Sequence, residues 1–414
     1  MIVKLILLPL VIVLALPGHA QSSDSPIERR IQRVEQGLLS SYGDPPWKRM
    51  NLADRMVHYN VPGVSIALIN DNQVEWTKGY GILEAGRSEP VTPGSLFQPA
   101  SIAKLVVAVT ALRYVEAGAL DLDGDVNQRL VSWQVPENEF TAAAKVTLRR
   151  LLSHSGGVTV EGFRGYALGE EVPNLRQVLN GEWPANSPPV RVNVVPGTQY
   201  RYSGGGYMIV QQLLEDLTGK PFPAIVRDSV LEPWGMTSST FVSPLPDTSR
   251  ANAASGHRAN GSAIPGRWHT YPEMGSGASM WSTASDLAQF AIRIMQSYEG
   301  QSDGVLSHSM AVQMLTPQIE SRGLGPVVLN DGGDLFYFMH PGANDGFASV
   351  LVAYPQRRQG VVILTNGDNG AALWREILNS VSIEYGWVKD NTLVYVISAV
   401  AIVLALAGIL IWVL

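Results

Sequence analysis

The sequence contains no cysteine, which excludes disulfides, thiolate metal sites, a cysteine nucleophile and a lipid-modified N-terminal cysteine. It has no basic block either. Lys and Arg number 30 against 36 Asp and Glu, the formal net charge is -6, and the pI is near 5.7; no nucleic acid partner is expected of such a chain. Histidine is scarce, at seven residues, and no pair of them has H-E-x-x-H or other metal-ligand spacing, so the expectation is no metal and no cofactor. No serine lies in G-x-S-x-G, which disfavours an α/β-hydrolase. Internal repeats and low-complexity tracts are also missing.

What is present is length, and two unusual ends. A chain of 414 residues can bury a large core. Its start has one early charge, Lys4, an apolar run from Leu5 to about Pro17, and small residues at Gly18 and Ala20. That pattern predicts a signal peptide over 1–20, the alternative being an uncleaved membrane anchor. From Thr392 to Leu414 no charge occurs, and the run would span about 34 Å as a helix, enough to cross a bilayer. Trp387 and Trp412 would sit near opposite interfaces; a lipid-anchor signal would look similar. The expected domains are therefore the signal peptide, a body over 21–388 and a C-terminal transmembrane anchor over 389–414. Together the ends predict an exported, membrane-anchored protein whose body lies on the periplasmic or extracellular side.

In the body, an amphipathic helix is expected around Ile27 to Leu39. A hairpin follows, with its turn at Asn70-Asp71-Asn72. A helical middle broken by Pro- and Gly-rich loops precedes strand signals at Pro326–Leu329, Leu335–Met339, Ala348–Tyr354 and Gly360–Thr365, and a last helix near Ala371 to Ser382. Strands at both ends of the body around a helical middle predict one sheet of sequence-distant strands with a mostly helical insert. Thr283 and Asp286 have the spacing of a helix N-terminal capping box.

One stretch, QPASIAKLVVAVTALRYVEAGAL (98–120), reads as a helix that is apolar nearly all round, yet carries Lys104 one turn in. Burial and the positive end of a helix dipole both disfavour an ammonium there. Residues three apart share a helix face, so Lys104 can touch Ser101. An uncharged amine against a hydroxyl is a base beside a latent nucleophile, and the helix start supplies N–H groups for a developing oxyanion. The bland alternative is a chance S-x-x-K whose lysine reaches out to water.

Two further motifs follow: Tyr202-Ser203-Gly204, at the end of a loop before a helix expected to start near Tyr207, and His340-Pro341-Gly342, closing one strand signal. In this order the three motifs resemble the S-x-x-K, Y-x-N and K-T-G or H-x-G of the serine β-lactamase and penicillin-binding family. The branch resembled holds class C β-lactamases, D-alanyl-D-alanine carboxypeptidases and β-lactamase-like esterases. VTLRRLLSHSGG (146–157), PEMGSGASMWSTASDLAQF (272–290) and GVVILTNGDNG (360–370) add to the likeness.

The resemblance implies an α/β (α+β) fold with an antiparallel sheet flanked by helices and a mostly helical subdomain. It implies an acyl-enzyme on Ser101, with Lys104 and Tyr202 moving its proton and either one the general base. The oxyanion would sit between the N–H groups of Ser101 and Ala343, His340 and Gly342 would line the substrate cleft, and Ser203 would stand close behind. The implied partner is a small-molecule or peptide substrate, an amide or ester such as a D-amino-acid or cell-wall-type peptide. Position 204 departs from the pattern: glycine replaces the asparagine whose amide would hold a substrate amide. A class C-like β-lactamase is the second reading, and a penicillin-binding-like sensor, acylated or liganded without turnover, is the third. His154 reads as a structural hydrogen-bonding residue.

Overall fold

A computed structural model describes residues 25–40, 48–301, 305–330 and 336–389. The expected hairpin is strand β1 (Gly63–Asn70) and strand β2 (Gln73–Gly81). Asp71 and Asn72 take positive φ angles of 50° and 55° at its turn, the conformation whose twist matches that of two antiparallel strands. Strands β3 (Val327–Asn330), β4 (Phe336–Asn344), β5 (Phe347–Tyr354) and β6 (Gln359–Thr365) complete an antiparallel sheet in the order β2-β1-β6-β5-β4-β3.

The central strands are buried on both faces, and their side chains divide by alternation. Val64, Ile66 and Leu68 of β1, with Val361 and Ile363 of β6, face one apolar cluster, while Ala67, Ile69, Val362 and Leu364 face the other. Helices α1 (Pro26–Gln36) and α5 (Gly370–Glu384) cover the first face. Ser25 starts α1 by accepting the Glu28 N–H at 3.1 Å, with Pro26 at the first helical position. The larger cluster takes in α2 (Ala103–Glu116), α3 (Gly204–Thr218) and α4 (Ala284–Tyr298). Thr283 caps α4 as its spacing suggested, accepting the Asp286 N–H at 3.1 Å. The Asp286 carboxylate instead accepts from Ser238 N and Ser239 Oγ, so only half of a capping box forms.

Three expectations are corrected. The fold carries no transmembrane helix among the described residues. None of their helices is long and apolar enough to cross a membrane; the longest have 15 residues, about 22 Å against the roughly 30 Å of a hydrocarbon core. The Thr392–Leu414 segment and the 1–20 signal both lie outside the described residues. Next, His340-Pro341-Gly342 does not close a strand but lies inside β4, which runs on to Asn344. Strand β3 pairs only with Phe336–Met339, so β4 is an open edge from His340 onward, where a proline is tolerated. Finally, α3 begins at Gly204 rather than near Tyr207. Its glycines look like loop but are needed for close approach: a Cβ on Gly205 would lie 2.6 Å from Thr159 O.

Beneath the sheet, the short helix Leu52–His58 is tied to α5 by a buried ion pair. Arg55 Nε and Nη2 each donate to the Glu376 carboxylate at 2.7 Å, and Tyr59 OH donates to it at 2.6 Å. Removing one member of such a pair leaves a buried charge uncompensated, whereas replacing both by apolar groups need not. Glu376→Ala is expected to cost about 3–5 kcal/mol in denaturant unfolding, and Arg55→Met with Glu376→Leu substantially less. Equal losses in the single and double variants would contradict this account.

Candidate active site

Ser101 lies in a one-turn 3-10 segment, Ala100–Ile102, that leads directly into α2. The preceding residue, Ala100, has a positive φ of 49°, a conformation disfavoured for a side-chain-bearing residue, and the turn is fixed from the sheet. Ser349 Oγ of β5 donates to Pro99 O at 2.7 Å. Gly342 of β4 faces the same carbonyl, and a Cβ there would come within 2.1 Å of it and 3.1 Å of Ser101 N. Gly342 is thus required as glycine, and its bareness lets the open edge of β4 lie against the Ser101 turn. Ala343, the second expected oxyanion donor, follows on that edge and lines the same cleft.

All ten residues from Ala103 to Leu112 are buried. Lys104 is 3% exposed, so its side chain is buried at the floor of the cleft rather than extended to the surface. It donates to Ser101 Oγ at 3.0 Å and to Ser276 O at 2.5 Å. Its Nζ lies 5.0 Å from the ring centroid of Tyr202 and 5.7 Å from that of Tyr207. No carboxylate among the described residues pairs with it. Tyr202 OH donates to Ser101 Oγ at 2.8 Å, from 101 positions away in the chain. One hydroxyl is therefore held between an amine and a phenol, in a cleft of about 680 Å³.

The histidines are both uncharged near neutral pH. His340 is 4% exposed; burial first, then the Lys104 charge, hold its pKa down at about 3. Its Nδ1 lies 2.6 Å from Pro341 O, which can only accept, so the proton is on Nδ1 and Nε2 keeps a lone pair. His154 is not a cleft residue. Its ring stacks on Tyr202 with centroids 4.3 Å apart, and its Nδ1 accepts the Ser203 N–H at 3.1 Å. Burial lowers its pKa well below the ordinary value. Ser203, expected close behind the cleft residues, caps α3: its hydroxyl accepts the Gly206 N–H at 2.9 Å and donates to Thr159 O at 2.7 Å.

Several cleft residues carry no sequence motif. Arg322 stacks on Tyr200 with its guanidinium carbon 4.2 Å from the ring centroid, and its Nε is buried without a hydrogen-bond partner. No carboxylate among the described residues forms an ion pair with it. Asn344 donates to Gln98 Oε1 and Ala278 O, both at 2.8 Å. Behind the cleft, the turn that offers Ser276 O to Lys104 is held by Gln211, whose Oε1 accepts the Gly275 N–H at 2.7 Å. Glu273 in that turn is fully buried, with neither carboxylate oxygen hydrogen-bonded. No group of three or more potential metal-ligating side chains occurs among the described residues.

An antiparallel sheet with a serine, lysine and tyrosine gathered at its open edge defines the class of serine hydrolases that work through S-x-x-K. The Beta-lactamase family matches residues 49–379, and the chain belongs to it. Penicillin-binding protein 4 of Amycolatopsis lactamdurans is 27% identical over 355 residues, 81% of this chain and 90% of that protein. The solved structure of EstCE1, "a hydrolase with promiscuous acyltransferase activity", shares the fold with a TM-score of 0.66 and 19% identity, over 86% of this chain and 98% of that one. D-alanine carboxypeptidase AmpC from Burkholderia cenocepacia does so with a TM-score of 0.62 and 19% identity, over 80% of this chain and 96% of that one.

The orphaned carboxyl of Glu273 has a measurable consequence. Burial pushes its pKa up to about 8, against about 4.3 in an unfolded chain. Between those values the native state holds a proton that the unfolded state has released, so this group's contribution to stability falls as pH rises and levels off above 8. At about 1.4 kcal/mol per pKa unit the fall amounts to several kcal/mol. Glu273→Gln removes it. Denaturant unfolding from pH 5 to 9 is expected to show the variant gaining on wild type as pH rises; parallel profiles would contradict the assignment.

Proposed function

We propose that the protein hydrolyses a peptide or related amide or ester through an acyl-enzyme on Ser101, with a peptide ending in a free carboxylate as its preferred substrate. The observation that carries this reading is the Ser101 hydroxyl held 3.0 Å from Lys104 Nζ and 2.8 Å from Tyr202 OH inside the cleft. Ser101 Oγ attacks the scissile carbonyl carbon, and its proton passes into the Lys104–Tyr202 pair. The carbonyl oxygen gathers negative charge beside the start of α2 and the β4 edge, where the N–H groups of Ser101 and Ala343 are the proposed donors. Collapse of the tetrahedral species breaks the bond to the leaving group, which takes the proton from Tyr202. Water then attacks the ester carbonyl, the pair receives its proton, and Ser101 leaves with a proton restored.

Arg322 supports the carboxylate-bearing substrate. A half-buried guanidinium in the cleft, with an unpartnered Nε and no carboxylate of its own, suits an incoming anion. The names of two relatives, a penicillin-binding protein and a D-alanine carboxypeptidase, support a D-amino-acid peptide. Neutral His340 adds no second positive charge, so Arg322 is the proposed anion partner. The leader-like pattern of residues 1–20 supports export.

The test compares wild type, Ser101→Ala and Arg322→Met on an N-acyl dipeptide of D-alanine, its C-terminal amide, a p-nitrophenyl ester and benzylpenicillin. Both product release and intact mass are followed. Ser101→Ala is expected to lose at least about a thousandfold in kcat/KM. Arg322→Met is expected to raise KM on the order of tenfold for the free acid, at the strength of one charge-assisted hydrogen bond, and to leave the amide unaffected. A penicilloyl adduct without release of any product would favour the sensor, and rapid penicillin turnover the β-lactamase. Undiminished turnover in Ser101→Ala would overturn all three.

A further inference from the structure

The glycine at 204 does not simply leave a gap. Gly204 opens α3, and the segment 159–163 is bound across that helix start by three hydrogen bonds: Ser203 Oγ to Thr159 O at 2.7 Å, Gly205 N to Val160 O at 3.0 Å, and Gly204 N to Glu161 O at 2.9 Å. The segment brings Phe163 over the glycine. A Cβ built on Gly204 would lie 3.1 Å from Phe163 Cε2 and 3.1 Å from Glu161 O, closer than a side chain sits without displacing its neighbours. Phe163 packs part of its ring against the main apolar core and also lines the cleft that holds Ser101, Lys104 and Tyr202. Where a side-chain amide would project from 204, an aromatic ring stands, its Cε2 and Cδ2 3.1 and 3.5 Å from a Cβ placed there.

We propose that Phe163, seated over Gly204, forms an apolar subsite that binds the side chain of the acyl group transferred to Ser101. The inference rests on the acyl-enzyme reading above. Within the cleft the Arg322–Tyr200 pair is the element suited to the leaving residue's carboxylate, and Phe163 has no part in that pair. The acyl chain is what remains for it. An aromatic wall without an amide favours acyl groups carrying an apolar chain over those presenting a polar amide next to the scissile carbonyl. Residue 204 is crowded by this ring and by Glu161 O, each 3.1 Å from a Cβ placed there, so an Asn side chain enters only if both give way by a few tenths of an ångström.

The test uses the full chain and p-nitrophenyl esters that share one leaving group, hexanoate against acetate, with wild type, Phe163→Leu and Phe163→Ala. A methylene in an apolar pocket is worth roughly tenfold or more in kcat/KM. The wild-type preference for hexanoate is therefore expected to fall about tenfold or more in Phe163→Ala and to be largely kept in Phe163→Leu, the ratio cancelling any loss common to both esters. A ratio within twofold of wild type in Phe163→Ala overturns the subsite. Ser101→Ala separates the two claims: turnover that survives it defeats the acyl-enzyme reading, whatever the ratio. Should neither ester be turned over, calorimetric binding of hexanamide against acetamide carries the comparison, and equal selectivity in wild type and Phe163→Ala overturns the proposal.

Discussion

The site depends on how closely the Pro99–Ser101 turn can lie on the sheet. Pro99 O accepts the Ser349 hydroxyl at 2.7 Å from β5, while on β4 the bare Cα of Gly342 leaves room for the same carbonyl. Any side chain at 342 would collide with that oxygen, and the turn would have to lift. Lifting would carry Ser101 away from both the β4 edge and Tyr202, because the Ser101 backbone is rigidly continuous with α2. The strained Ala100 and the absence of a side chain at 342 are thus two parts of one arrangement. A nucleophile at a helix start is brought against an open strand edge, where a carbonyl oxygen can be held.

Around that contact, charge is managed by burial and shape. Lys104 is enclosed by a carbonyl, a hydroxyl and two aromatic faces, with no acidic residue near enough to form an ion pair. Both histidines that approach the tyrosine are held neutral by desolvation. Glu273, the carboxyl closest in sequence to the Lys104 anchor at Ser276, holds its proton through neutral pH. Buried Glu273 therefore adds no negative charge behind the site at neutral pH; Glu161 lines the exposed part of the cleft, and Arg322 at the cleft wall is the group suited to an anion. An S-x-x-K pair in such surroundings is suited to acyl transfer from a substrate that brings its own carboxylate.

How much of this was legible in the sequence follows from the range of the forces involved. The pairing of Ser101 with Lys104 is local, three residues on one helix, and could be read directly; the hairpin at Asp71-Asn72 was legible for the same reason. Tyr202 could be placed only by the order of the three motifs, since nothing local distinguishes it from Tyr200 and Tyr207. His340-Pro341-Gly342 looks like a strand end because proline and glycine punctuate turns; that β3 begins only at Val327, opposite Met339, and leaves β4 open beyond it is a matter of register between strands. The roles of Phe163, Arg322, Asn344 and Glu273 were hidden because each depends on contacts far along the chain. Ser203 follows Tyr202 in its motif, but its hydroxyl serves the helix start, whose N–H groups need satisfying. The membrane helix was read from apolar composition alone, and the described helices do not supply one.

The central claim is that the hydroxyl gripped by Lys104 and Tyr202 is the atom that becomes acylated. Its most direct measurement is peptide mapping by tandem mass spectrometry, after the protein has been mixed with a p-nitrophenyl ester and quenched in acid within the first turnovers. The account predicts one acyl adduct, on Ser101, formed at a rate consistent with turnover and lost at once when Tyr202→Phe or Lys104→Ala is used in its place. An adduct on any other residue, or steady turnover with residue 101 never modified, would contradict it.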